Sequence, residues 1–194
     1  MDTRDLLAAA LDIERHVASD GWDQPALLFA LVATARIRVE QPELAARLGV
    51  VDGGPVLTTF EQPAPPKDKE LDAFLATIAW PDDIVGAAVV VERIVLPPRA
   101  EATLADRPDA AKAARAHPAA QDMRIVVAVT RDGQQMSVLR LRGAGAATDD
   151  SGGAGAAADV PPAATGPGVE GDDSVLTGTD LVPGLAEALL ATFR

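Results

Sequence analysis

The chain has 194 residues, a formal net charge of −12 and 0 Cys. That length suits one domain able to bury roughly two-thirds of its unfolded surface without staples, and the missing thiols exclude disulfides and thiolate metal sites. The negative field disfavours nucleic acid and anionic membrane as partners, and aromatic content of 3%, with 4 Phe, 2 Trp and 0 Tyr, offers little surface for base stacking.

No targeting segment is read at the start, because Asp2, Asp5, Asp12 and Glu14 interrupt the leucines where a signal peptide needs an unbroken apolar stretch. Residues 4–19 predict an amphipathic helix: Leu6, Ala10, Ile13 and Val17 recur at helical spacing, and Leu7 and Leu11 widen the stripe. Asp2 or Thr3 can cap its start, and Gly21 is placed to end it. Between Pro25 and Gly49 the apolar run 27–32 is too short for periodicity to separate strand from buried helix. The favoured reading is a buried strand to Val32, a helix from Thr34 to Glu40 and a second helical piece from Pro42 to Gly49. One long helix from Pro25 is the alternative.

Residues 55–60 can form a short strand, followed by the extended linker Gln62-Pro63-Ala64-Pro65-Pro66. Residues 69–79 resume helix, with Leu71, Phe74, Leu75 and Ile78 on one face, and Trp80-Pro81-Asp82-Asp83 turns the chain. Residues 84–96 are the strongest strand, rich in β-branched side chains and closed by Pro97-Pro98. The apolar stretch 84–91 falls far short of the roughly 18 residues of a membrane span. Residues 108–116 read as a short Ala-rich helix stopped by His117-Pro118.

Residues 122–131 and 134–142 flank Asp132-Gly133, a dipeptide favoured in two-residue hairpin turns. That turn sets Val127 opposite Val138 and Val126 opposite Leu139. It also places Arg140 and Arg142 on the face of Ile125 and Met123, and Arg124 on the other face, opposite Leu141. Both hairpin faces are apolar near the middle, which places the hairpin inside the sheet.

Residues 143–173 change character, with 8 Gly, 9 Ala, 3 Pro, 6 acidic residues and no Lys or Arg in 31 positions. Such a stretch cannot repay the entropy of ordering, so it is expected to be a flexible, disordered acidic insertion. Removing its −6 from −12 leaves −6 on the other 163 residues. A closing helix is expected over 181–193, with Leu185, Leu189 and Phe193 on one side.

Few motifs suggest chemistry. Asp150-Ser151-Gly152-Gly153 is similar to the nucleophile segment of chymotrypsin-like proteases, but its Ser sits in a Gly/Ala tract that predicts no framework to hold a His and an oxyanion hole. Gly143-Ala144-Gly145-Ala146-Ala147-Thr148 nearly spells a dinucleotide fingerprint, yet it lacks the third Gly and a following helix. Linker composition accounts for both. His16 follows Asp12 by one turn, a modest helix-surface pair, and His117 sits at a helix C-terminus, where a donor or cation is favourable on structural grounds. The pairs Asp82-Asp83, Asp149-Asp150 and Asp172-Asp173 lack the spacing of a calcium loop. No catalytic, cofactor-binding or metal-binding residue is assigned, and no cofactor is implied.

Five residues are candidates for an interaction surface. Trp22 and Trp80 each lie beside a Pro-containing turn, where a Trp can anchor an interface or cap the core with its ring N–H on a carbonyl. Arg124, Arg140 and Arg142 cluster with Arg131 on the hairpin of an otherwise acidic chain. One hypothesis has the acidic insertion folding back over a basic patch that otherwise meets an acidic partner. The simpler reading, which is preferred, has the arginines solvating the hairpin end.

Several segments resemble a family of uncharacterised actinobacterial hypothetical proteins: Gly21-Trp22-Asp23-Gln24-Pro25 with 28–32, Ile78-Ala79-Trp80-Pro81-Asp82, 89–98, 124–133 and 180–190. The resemblance covers most of the chain outside the insertion. It implies a cytoplasmic bacterial protein and brings no activity, cofactor or catalytic residue.

The mixed order of elements predicts an α+β fold: a mainly antiparallel sheet of four or five strands with helices mostly on one face. Residues 1–142 with 174–194 form the expected single domain, and 143–173 the insertion. The expected function is a noncatalytic cytoplasmic binding or adaptor module for a protein partner. The alternative is an enzyme or small-ligand binder whose site assembles from scattered carboxylates, arginines and Trp residues.

Overall fold

The computed structural model describes residues 2–66, 69–104, 107, 109–142 and 175–194. Its first element, α1 (Thr3–Ser19), opens with a capping box. The Asp2 side chain accepts the Arg4 N–H at 3.2 Å and Asp5 accepts the Asp2 N–H at 3.3 Å, satisfying two donors that no helical carbonyl can reach. The helix buries Leu6, Ala9, Ala10, Ile13 and Val17, and each of its large aliphatic side chains contributes roughly 1.5–3 kcal/mol on leaving water.

The chain continues as β1 (Leu27–Ala33), α2 (Thr34–Glu40), α3 (Pro42–Arg47) and β2 (Leu57–Glu61). The strand-then-helices reading of 25–49 therefore holds, and the single long helix is excluded. Next come α4 (Leu71–Leu75) and β3 (Ile84–Val95). The helix expected over 69–79 has only five residues; the Thr77 hydroxyl donates to the Phe74 carbonyl at 2.7 Å as the chain turns away. A helix not anticipated, α5 (Pro98–Leu104), begins at Pro98 and precedes α6 (Ala110–Arg115). Proline is as suited to a first helical turn as to a strand's end.

The last elements are β4 (Gln121–Thr130), β5 (Gln135–Leu141), β6 (Val175–Gly178) and α7 (Pro183–Ala191). The strands form one antiparallel sheet in the order β2-β1-β3-β4-β5-β6. Six strands correct the expected four or five: β6, four residues long, is too short to show alternation in the sequence.

Helices cover both faces, which corrects the expectation that they pack mostly on one. On one, α1 packs over Phe29, Leu31, Leu57, Ala88, Val90, Val126 and Val138. On the other, α4 and α7 supply Leu75, Ala186 and Leu189 against Leu28, Ala87, Val89, Val127 and Val129. The physical cause is visible in β3, whose residues 86–91 are buried without alternation. A strand apolar on both sides needs a layer on both sides. No helix among the described residues is long and apolar enough to cross a membrane.

The β4–β5 turn also departs from expectation. The Thr130 N–H donates to the Gln134 carbonyl and the Gly133 N–H to the Thr130 carbonyl, both at 2.9 Å, and Gly133 has φ +90°. The loop is therefore three residues, Arg131-Asp132-Gly133, with glycine in the left-handed position. The register moves by one: Val126 pairs with Val138 and Arg124 with Arg140. A one-residue slip changes which side chains share a face, so Arg124 and Arg140 lie side by side and not on opposite faces.

Candidate functional site

The register of the central strands sets Glu92, Arg124 and Arg140 in one row across β3, β4 and β5. Two arginines directly opposite each other repel. Glu14, on the sheet-facing side of α1, resolves this: its carboxylate accepts from Arg140 Nε at 2.6 Å and Nη2 at 2.9 Å, and lies 3.8 Å from Arg124 Nη1. Arg124 and Glu14 are each only 1% exposed. A bidentate, charge-assisted contact of this kind is what makes a buried ion pair tolerable.

Arg124 closes the network on its other side. It donates to Glu92 Oε1 from Nε at 3.2 Å and Nη2 at 2.8 Å, and to the Gly21 carbonyl. Its guanidinium stacks 4.6 Å from the centre of the Trp22 ring. The second Glu92 oxygen accepts the Asp23 N–H at 2.7 Å. Gly21 has φ +88° and Asp23 φ +68°; glycine enters that region freely and aspartate is among the few other residues that do. These backbone angles fold 21–24 tightly enough to hang Trp22 over the arginine.

Arg142 lies at the outer margin. It donates to Asp23 at 3.2 and 3.3 Å and to Asp122 at 3.0 Å, with its guanidinium 5.5 Å from the Trp22 ring centre. The hydrogen bond to Asp23, then that to Asp122, raises its pKa further above the ordinary arginine value. The cluster thus sets Arg124, Arg140 and Arg142 against Glu14, Glu92, Asp23 and Asp122. No buried side-chain nitrogen or oxygen among the described residues lacks a hydrogen-bond partner.

The other candidates lie apart. Trp80 belongs to the opposite face, where its ring N–H donates to the Thr192 hydroxyl at 2.8 Å and its ring stacks on Phe193 at 6.2 Å. Arg131 sits over Phe193 and donates to the carbonyls of Pro81 at 2.8 Å and Ile84 at 3.2 Å. Of the five interaction candidates, four therefore converge and Trp80 does not. Sequence reasoning missed Glu14 and Glu92. The signal was there: each is a carboxylate interrupting an apolar stripe or run, between Ile13 and Val17 and after 84–91.

His16 does not pair with Asp12, which contacts Arg15; its Nε2 lies 3.5 Å from Glu61, and its ring meets Phe29 edge-on at 6.3 Å. His117 Nδ1 accepts the Ala119 N–H at 3.1 Å beyond α6. No group of three or more metal-ligating side chains is found among the described residues. The segments Asp150-Ser151-Gly152-Gly153 and 143–148, the pairs Asp149-Asp150 and Asp172-Asp173, and the whole 143–173 stretch lie outside the described residues.

Beside the charged cluster runs an open cleft of about 440 Å³, bordered by Asp23, Gln24, Glu92, Arg93, Arg115 and Asp122. Through Ile94 and Ala114 it adjoins a second cleft of about 420 Å³ between the end of β3 and the α5–α6 pair. The second is lined by Ile94, Val95, Leu96, Leu104 and Ala110, with Glu101 as its one charged group among the described residues. Together they form an apolar trough that passes into a charged one.

A family model described as PPA1309-like protein matches residues 6–194. No curated protein and no solved structure matches the chain.

Proposed function

The chain belongs to the PPA1309-like protein family, and from that premise we propose that it is a noncatalytic, cytoplasmic binding module of actinobacterial origin that receives a segment of a protein partner. The receiving surface is the trough between the end of β3 and α5–α6. One observation carries the reading: the apolar cleft of Ile94, Leu96, Leu104 and Ala110 continues into a margin of both charges, holding Asp23, Glu92 and Asp122 beside Arg93 and Arg115. An apolar groove with a rim of mixed charge suits a short polypeptide bearing apolar side chains flanked by polar ones. The chain's net charge of −12 also draws basic segments toward it.

A rival reading, an enzyme or small-ligand binder, takes its support from the convergence of Glu14, Glu92, Arg124, Arg140 and Trp22. Those charges neutralise one another, and a ligand entering among them must first break pairs whose loss costs several kcal/mol. The cluster reads better as the support that fixes the wall of the cleft.

The test is affinity capture from the native host with wild-type protein and with Leu96→Asp and Leu104→Asp, both half-buried positions. Loss of the captured protein from both variants, with melting temperatures preserved, supports the trough. Equal capture by wild type and variants removes it. The rival expects instead a small molecule that raises the melting temperature of wild type and not of Arg124→Met.

A further inference from the structure

The sheet ends at β2, and its hydrogen-bond pattern says which groups face outward. The Thr34 N–H donates to the Val56 carbonyl at 2.9 Å and the Gln62 N–H to the Leu28 carbonyl at 2.8 Å. In the antiparallel register these fix Val56, Thr58, Phe60 and Gln62 as the residues bonded to β1. The backbone groups of Leu57, Thr59 and Glu61 therefore point away from the sheet, and among the described residues nothing bonds to them.

Edge strands are ordinarily protected by lysine, proline, a bulge or a covering element. Leu57-Thr58-Thr59-Phe60-Glu61 has no Lys and no Pro. Its pairing with β1 is unbroken, the one register shift lying between β1 and β3. Val56 is 50% exposed, and Val51 and Leu48, 66% and 46% exposed, lie on the preceding loop.

We propose that two copies of the chain pair through β2, antiparallel, about a two-fold axis at Thr59. The edge is self-complementary in that register. Thr59 meets Thr59, and Leu57 meets Glu61, each pair exchanging both backbone bonds; identical central hydroxyls form a favourable cross-strand pair. The strand's one charge falls opposite leucine, so the two glutamates never oppose each other. On the reverse face Phe60, half-buried in the monomer, lies beside Thr58 of the second copy. Val56, exposed at the strand's start, leaves water at the same contact. A continuous sheet of twelve strands results, with each trough between β3 and α5–α6 left open.

The test is sedimentation of the full chain over a hundredfold range of concentration. Wild type is expected as a dimer that dissociates on dilution. Thr59→Lys sets two cations on the axis and Thr59→Glu two anions, so each alone is expected to weaken the dimer at least tenfold. An equimolar mixture of the two restores a dimer containing one of each. Because the mixture regains what each variant lost, misfolding cannot account for the pattern. A wild type monomeric throughout, dimers of undiminished affinity in either variant, or a mixture that stays monomeric overturns the proposal.

Discussion

Glu14 and Arg140 stand 126 residues apart in the chain, and two hydrogen bonds of 2.6 and 2.9 Å join them beneath the first helix. The pair ties α1 to β5 and supplies the anion that lets Arg124 and Arg140 lie side by side. Glu14→Leu is expected to cost roughly 3–5 kcal/mol, because it leaves two facing guanidinium groups short of a counter-charge. Glu14→Leu combined with Arg140→Leu is expected to recover most of that loss. Chemical denaturation of the two single variants and the double completes the cycle. Additive losses would mean that the pair is not coupled.

Arg124 carries the turn at 21–24 as well as the ion pairs. Arg124→Met keeps much of the volume but removes the bonds to Glu92 and the Gly21 carbonyl and the cation under Trp22. A loss of roughly 3–5 kcal/mol is expected. In a Trp80→Phe background, where Trp22 is the remaining indole, its emission should shift toward that of a solvated ring. An unchanged spectrum would contradict the stacking.

Gly86 leaves no room for a side chain between β3 and its neighbours. A methyl group built there lies 2.6 Å from the Val129 carbonyl oxygen and 3.0 Å from a Leu31 methyl. The leucine can turn aside, but the carbonyl belongs to the sheet. Gly86→Ala should therefore lower stability by about 1–3 kcal/mol, the usual range for overpacking. A thermal midpoint equal to wild type would show that β3 and β4 can separate there without cost.

The hairpin gives a pH dependence of defined sign. The Thr130 hydroxyl, donating to Asp132, lowers the Asp132 pKa below the usual aspartate value. A depressed native pKa contributes stability that is fully present above the ordinary value of about 3.9 and is lost as pH falls through the lowered one. Asp132→Asn should thus show a shallower fall in melting temperature in that acid window than wild type. Identical acid limbs would remove the carboxylate from the account.

Much of the fold could be read from residue patterns, and the errors share a cause. Periodicity located α1, and Pro42 and the apolar run 27–32 correctly divided 25–49 into β1, α2 and α3. What failed needed the third dimension. Asp132-Gly133 suits a two-residue turn, but Arg131 enters the loop and shifts the register. That single residue decides that Arg124 and Arg140 share a face, so the cluster could not be assembled from sequence. Burial of 86–91 on both sides, visible as an unbroken apolar run, argued for two helical layers and was read as one. Glu14 and Glu92 carry no sequence signal of their partners, which lie in distant strands.

The central claim is that the charged cluster is closed structure and that the trough beside it takes the partner. Backbone hydrogen exchange, measured on the protein alone and with its co-purified partner bound, separates the two directly. Slowing centred on 93–96, 101–104 and 110–115, reaching no further than 23–24 and 122 at the trough's margin, is the predicted result. Slowing centred on 21–24 and 140–142, with the trough unaffected, would contradict it and return the cluster to the role of binding site.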